Sequence, residues 1–114
     1  MRQRWAAAPK RSDGTWALTQ TLAHRGHSVQ LQGDLVVLGD YNGGANNLGK
    51  VTTCTRMAGV WQATGEQFGA TAEQYFGYEL GLNGDLLAVS SSGLAKPTQI
   101  FRPGGANWLP EASI

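Results

Sequence analysis

The sequence has one cysteine, Cys54, in 114 residues, so no intrachain disulfide forms and the redox compartment stays open. Its neighbours Val51, Thr52, Thr53 and Thr55 favour strand, and the thiol reads as a small packed group rather than a nucleophile. No apolar stretch approaches the ~20 residues of a membrane span, which excludes a spanning helix. The run Trp5-Ala6-Ala7-Ala8 behind the basic start is too short for a secretion-signal core before Pro9, so any such signal is expected outside this chain. Charged residues are scarce, at 15%, too few for a disordered tail, while 41% hydrophobic residues supply a core. Helical periodicity is missing as well: no stretch of helical length repeats its apolar positions every ~3.6 residues.

Glycine is what the chain has in plenty. Its 16 glycines, scattered between short apolar runs, imply many turns and short strands. Basic residues crowd the start, where Arg2, Arg4, Lys10, Arg11 and Arg25 face Asp13 alone up to position 27. Such an arm suits nucleic acid or a membrane surface. No aromatic-and-basic stripe continues downstream, however, so the arm reads as a solvated strand and no nucleic-acid partner is expected.

The sequence repeats itself. Gly26-His27-Ser28-Val29-Gln30-Leu31-Gln32-Gly33-Asp34-Leu35-Val36-Val37-Leu38 aligns with Gly77-Tyr78-Glu79-Leu80-Gly81-Leu82-Asn83-Gly84-Asp85-Leu86-Leu87-Ala88-Val89. Each copy has a short alternating run, a Gly-Asp turn and a continuous apolar run, which predicts a tight hairpin whose second strand is buried. A second landmark recurs at Gly14-Thr15-Trp16, Gly59-Val60-Trp61 and Ala106-Asn107-Trp108, each preceded by a candidate strand: 3–10, 50–57 and 98–102. Four strands in about 50 residues is the spacing of a propeller blade, which must stack on neighbours to bury its two apolar faces.

The stretch Phe76-Gly77-Tyr78-Glu79-Leu80-Gly81-Leu82-Asn83-Gly84-Asp85-Leu86-Leu87-Ala88-Val89, followed by a strand and then Gly-Ala-Asn-Trp, resembles the FG-GAP repeat. It is similar to the variety that lacks calcium loops and occurs in bacterial and other multi-repeat surface proteins. Arg11-Ser12-Asp13-Gly14-Thr15-Trp16 resembles the same family's turn between third and fourth strands. The first copy departs from the pattern, with Arg25-Gly26 where Phe-Gly is expected. The resemblance implies a seven-bladed propeller, of which two and a half blades are present, in a family often secreted or displayed at the cell surface.

Several motifs invite a chemical reading. Gly44-Ala45-Asn46-Asn47-Leu48-Gly49-Lys50 has phosphate-loop spacing, but Val51 stands where Ser or Thr would hold Mg²⁺, and the β-branched run after it favours strand over the helix that would bind phosphate. Asp40-Tyr41-Asn42-Gly43-Gly44 offers oxygen ligands at alternate positions, as Ca²⁺ requires. The matching place in the second copy holds Ser90-Ser91-Ser92, and two ligands make no cage, so a capped turn is expected instead. His24 and His27 with Cys54 fall short of the four ligands of structural zinc. Asp34 and Asp85 belong to turns. Trp16, Trp61 and Trp108 suit sugar stacking, but a residue locked to the repeat is expected to pack between blades.

The expectation is therefore an all-β fold: a partial β-propeller of four-stranded antiparallel blades, ten strands in all. Residues 1–24 form a half blade, 25–75 one blade and 76–114 another, in a single segment. No enzymatic activity is expected, and no catalytic, cofactor-binding or metal-binding residue is assigned. The expected role is a scaffold or protein-interaction module whose partner is another protein or further copies of itself. The alternatives are a carbohydrate-binding propeller or a fragment of a larger propeller enzyme.

Overall fold

Apolar runs separated by Gly-Asp pairs fold most simply as antiparallel hairpins closed by two-residue turns. The computed structural model describes residues 3–7, 13–14, 18, 20–93, 97–104 and 107–114, and it is built this way throughout. The strands are β1 (Gln3–Ala7), β2 (Gln20–Gly26), β3 (Ser28–Gln32), β4 (Leu35–Asp40), β5 (Lys50–Met57), β6 (Val60–Phe68), β7 (Phe76–Asn83), β8 (Leu86–Ser91), β9 (Gln99–Gly104) and β10 (Asn107–Ser113). A single 3₁₀ turn at Ala45–Asn47 is the one helical element among the described residues. The fold is all-β.

The strands form three sheets, none closed on another: the hairpin β1–β2 and the antiparallel meanders β3-β4-β5-β6 and β7-β8-β9-β10. Both meanders open with the same hairpin. Gln32 pairs with Leu35 around Gly33-Asp34, and Asn83 with Leu86 around Gly84-Asp85. Gly33 and Gly84 take φ of 58° and 59°, which a type II′ turn asks of its first central residue and which glycine accepts without strain. The β5–β6 turn is less comfortable. There Ala58 holds φ 51° beside Gly59 at 79°, although it carries a Cβ.

β4 explains the stacking. Its residues alternate between two neighbours, and Val36 through Asp40 are all buried. Val37 joins Val51, Phe76, Leu87, Val89, Phe101 and Trp108 in a core between the two meanders, with Leu35, Leu80 and Leu82 packed against it. Val36 and Leu38 point the other way, into a second core with Cys54 and Leu22 of the terminal hairpin, flanked by Trp61. The order of layers is hairpin, first meander, second meander. A strand covered on both faces is where a continuous apolar sequence belongs.

β8 carries the same kind of run but only half the burial. Leu87 and Val89 are within the core, while Leu86 on the opposite face is 45% exposed. The expectation of a fully buried strand thus holds for β4 and not for β8, because among the described residues no element lies on the outer face of the second meander. Elsewhere, β1 covers 3–7 of the expected strand 3–10, whose last three residues lie outside the described ones. Residues 65–76, rich in Ala and Glu, contain no helix: β6 runs through Phe68 and residues 69–75 form the connection to β7.

Candidate functional site

Two connections meet at one end of the stack, residues 41–49 after β4 and 69–75 before β7. The first is shaped from within: Asp40 Oδ1 accepts the Asn42 N–H at 3.2 Å, the Asp40 carbonyl accepts Gly43 N–H at 2.9 Å, and Asn42 Nδ2 donates to Asn47 Oδ1 at 3.3 Å. This is an Asx-type turn, which uses the aspartate as a cap. The second connection is laced to the first by backbone bonds: Glu73 N–H to Asn46 O (2.7 Å), Tyr75 N–H to Asn47 O (3.1 Å) and Phe76 N–H to Leu48 O (3.1 Å). Gly49 lies so close to Phe76 that an added Cβ would strike the Phe76 backbone. Buried Gln74 anchors the same loop, its Oε1 accepting Ala70 N–H at 2.8 Å and its Nε2 donating to Ser91 Oγ at 3.2 Å.

The lacing has a backbone consequence. Glu73 and Tyr75 both hold left-handed φ, 57° and 55°, a region that costs a residue with a Cβ roughly 1–2 kcal/mol. Strain of this kind gathers at functional surfaces. Tyr75 belongs to an aromatic cluster at the same end: Tyr41 lies 4.1 Å from His27, 5.3 Å from Tyr78 and 6.0 Å from Tyr75 between ring centroids. Tyr78 is 45% exposed and gives the cluster an open aromatic surface. Sequence reasoning singled out none of these tyrosines as a site. One signal was present: Tyr78 and His27 occupy the same place in the two repeat copies, directly after Gly77 and Gly26.

Lys50 opens β5, with its Nζ 3.2 Å from Glu66 on the neighbouring strand, so the phosphate-loop spacing leads into a strand. Asp34, in the β3–β4 turn, accepts from Arg56 Nε of β5 at 2.7 Å, while Asp85 lies on the exposed β7–β8 turn. Cys54 is fully buried, and burial pushes its thiol pKa up. Among the described residues no three His, Cys, Asp or Glu side chains converge where a metal ion could be held. No helix among them is long and apolar enough to cross a membrane.

Trp61 and Trp108 face their neighbouring layers. Trp108 is buried between the meanders, and its Nε1 donates to Thr53 Oγ1 at 2.8 Å. Trp61 packs on the core shared with Leu22, under the Arg56 guanidinium, whose carbon lies 5.4 Å from the ring centroid. Trp16, Arg2, Lys10 and Arg11, and the side chains of Arg4, His24 and Arg25, lie outside the described residues.

Glutamine side chains tie the layers together. Gln20 Nε2 donates to the Trp61 carbonyl at 2.8 Å and its Oε1 accepts Trp61 N–H at 2.9 Å. Gln32 does the same to Gly84, at 3.2 and 3.0 Å. Each amide pairs with a single residue's backbone, much as an extra strand would.

No protein-family model matches the chain, and a search of curated proteins finds no match either. The resemblance to the FG-GAP repeat therefore rests on the residues that carry it.

Proposed function

We propose that this chain is a non-catalytic β-propeller segment that acts as a scaffold and protein-interaction surface. The observation that carries the reading is the face-on stacking of two meanders of the same strand order, with β7 lying across β3 and β4 and tryptophans at matching places turned into the layer before. Stacked blades bury their apolar faces in this way. The ionisable groups support the non-catalytic part: Asp34, Lys50 and Glu66 hold turns and strand pairs together, and Asp40 caps its own loop. Binding is assigned to the loop end, where the laced connections hold an aromatic surface on a rigid stack.

A carbohydrate ligand is the second reading, favoured by Tyr78. An exposed tyrosine whose ring packs on Tyr41 is an apolar platform with a polar tip, suited to the face of a sugar.

Thermal melts test the reading. A ligand that binds only the folded state stabilises it by about 2.7 kcal/mol at a hundred times its dissociation constant. Melts with Mg²⁺-ATP, with Ca²⁺ and with chelator superimpose if the chain is a scaffold. A Ca²⁺-dependent rise that disappears in Asp40→Ala refutes it. A glycan array separates the readings, since binding lost in Tyr78→Ala assigns the surface to sugars.

A further inference from the structure

The two meanders correspond position by position, because their hairpins share one register. Gln32↔Leu35 matches Asn83↔Leu86, Val36↔Cys54 matches Leu87↔Phe101, and Val37↔Thr53 matches Ala88↔Ile100. On the first meander, Leu35, Val37 and Thr53 form the face that receives the second. Their counterparts Leu86, Ala88 and Ile100 form the outer face of the second meander, joined there by Leu109 opposite Arg102. Leu86 and Leu109 are 45% and 39% exposed. An open groove beside Asn83, Leu86 and Arg102 runs along the turn end of this face.

Deepening the propeller-segment reading and resting on it, we propose that this outer face docks a further four-stranded antiparallel sheet of the same make, continuing the stack. The interface to be continued already exists in the molecule. There an apolar strip on β4 and β5 meets a sheet bearing Phe76, Leu87, Phe101 and Trp108, and Gln32 clamps the turn of the arriving sheet at Gly84. The outer face repeats the strip, and Asn83 stands in the place of Gln32 with a shorter amide that still has donor and acceptor. Ile100 replaces Thr53, which removes the acceptor for an indole N–H. The arriving sheet therefore presents aliphatic or phenyl groups at that point rather than a tryptophan. Its own face is apolar and aromatic, as the inner face of the second meander is.

The test compares the full chain with the same chain extended at its C-terminus by a second copy of residues 69–114 that carries Trp108→Phe, both chains having Leu86→Cys in the first copy. Buried Cys54 sets the slow background for thiol labelling. In dilute solution the introduced thiol of the unextended chain reacts freely, and in the extended chain it reacts at least tenfold more slowly. Leu86→Lys in the extended chain removes the rise in melting temperature that the added sheet brings. If the added sheet folds, shown by a gain in strand circular dichroism, and the labelling rate is unchanged, docking on this face is overturned while the propeller reading stands. If the added copy contributes neither strand signal nor stability, the stack does not extend, and both fall. Protection that appears in the extended chain only at concentrations where the unextended chain is equally protected shows that the added sheet leaves the face open within one chain and also overturns the proposal.

Discussion

Trp108 and Thr53, 55 residues apart in sequence, meet across the two meanders in a buried hydrogen bond of 2.8 Å from the indole nitrogen to the threonine hydroxyl. The contact ties the last strand of one sheet to the third strand of the other. Thr53→Val keeps the shape and leaves the indole donor buried without its acceptor, at a cost of about 1–3 kcal/mol. Thr53→Ser keeps the hydroxyl and loses less. Urea denaturation followed by tryptophan fluorescence measures both, and a valine variant as stable as the parent contradicts a dry, aligned contact.

Ala58 gives the opposite sign. Held at φ 51° in the β5–β6 turn and exposed to solvent, it has strain to lose and no packing to lose. Ala58→Asn, which tolerates the left-handed region, raises stability, and Ala58→Gly does so despite its greater chain entropy; the gain is about 1 kcal/mol. Denaturation midpoints decide, and a clear loss in both variants contradicts the turn geometry.

The hairpins were legible because their determinants are local. A Gly-Asp pair between an alternating and a continuous apolar run specifies the turn and the strand faces within a dozen residues, and the β-branched run after Lys50 specified β5. The matching positions of Trp61 and Trp108 announced their packing role for the same reason. The loop end was not legible. His27, Tyr41, Tyr75 and Tyr78 come together through the lacing of two connections, and no short-range pattern encodes it. Glu73 and Tyr75 go further and adopt a conformation that their own preferences oppose, imposed by the carbonyls of Asn46 and Asn47. Gln20 and Gln32 read from sequence as ordinary polar strand residues, because their partners are backbone groups 41 and 52 positions away.

Cys54 is predicted to be inert. Burial raises its pKa, so the folded state holds the thiol protonated where an unfolded chain has begun to ionise. That contribution to stability is complete below the thiol's ordinary pKa and is lost as pH rises through the higher folded value. Stability therefore falls across the alkaline range, and Cys54→Ala flattens the fall while lowering stability overall. Labelling by a thiol reagent under native conditions should track global unfolding; rapid labelling of the intact fold contradicts the packed position.

The lacing of the two loops predicts a severe effect at Gly49. With φ 88° and the Phe76 backbone against the place where a side chain would begin, Gly49→Ala forces the loops apart. The loss exceeds the roughly 1 kcal/mol of an ordinary glycine-to-alanine strain. It is accompanied by faster amide exchange at Tyr75 and Phe76, whose N–H groups donate across the seam. Unchanged exchange there shows that the loops are not held by this seam.

In the proposed reading the molecule is an open stack that packs against more of its own kind. Apolar residues on the outer face of the second meander, Leu86 and Leu109 above all, stand in water in the single chain, and uncovered faces of this sort invite association. Analytical ultracentrifugation of the isolated chain over the micromolar range tests this most directly. The expected result is concentration-dependent species larger than one chain, shifted back toward the monomer by Leu86→Lys. A well-folded monomer that melts cooperatively and stays monomeric across that range contradicts it.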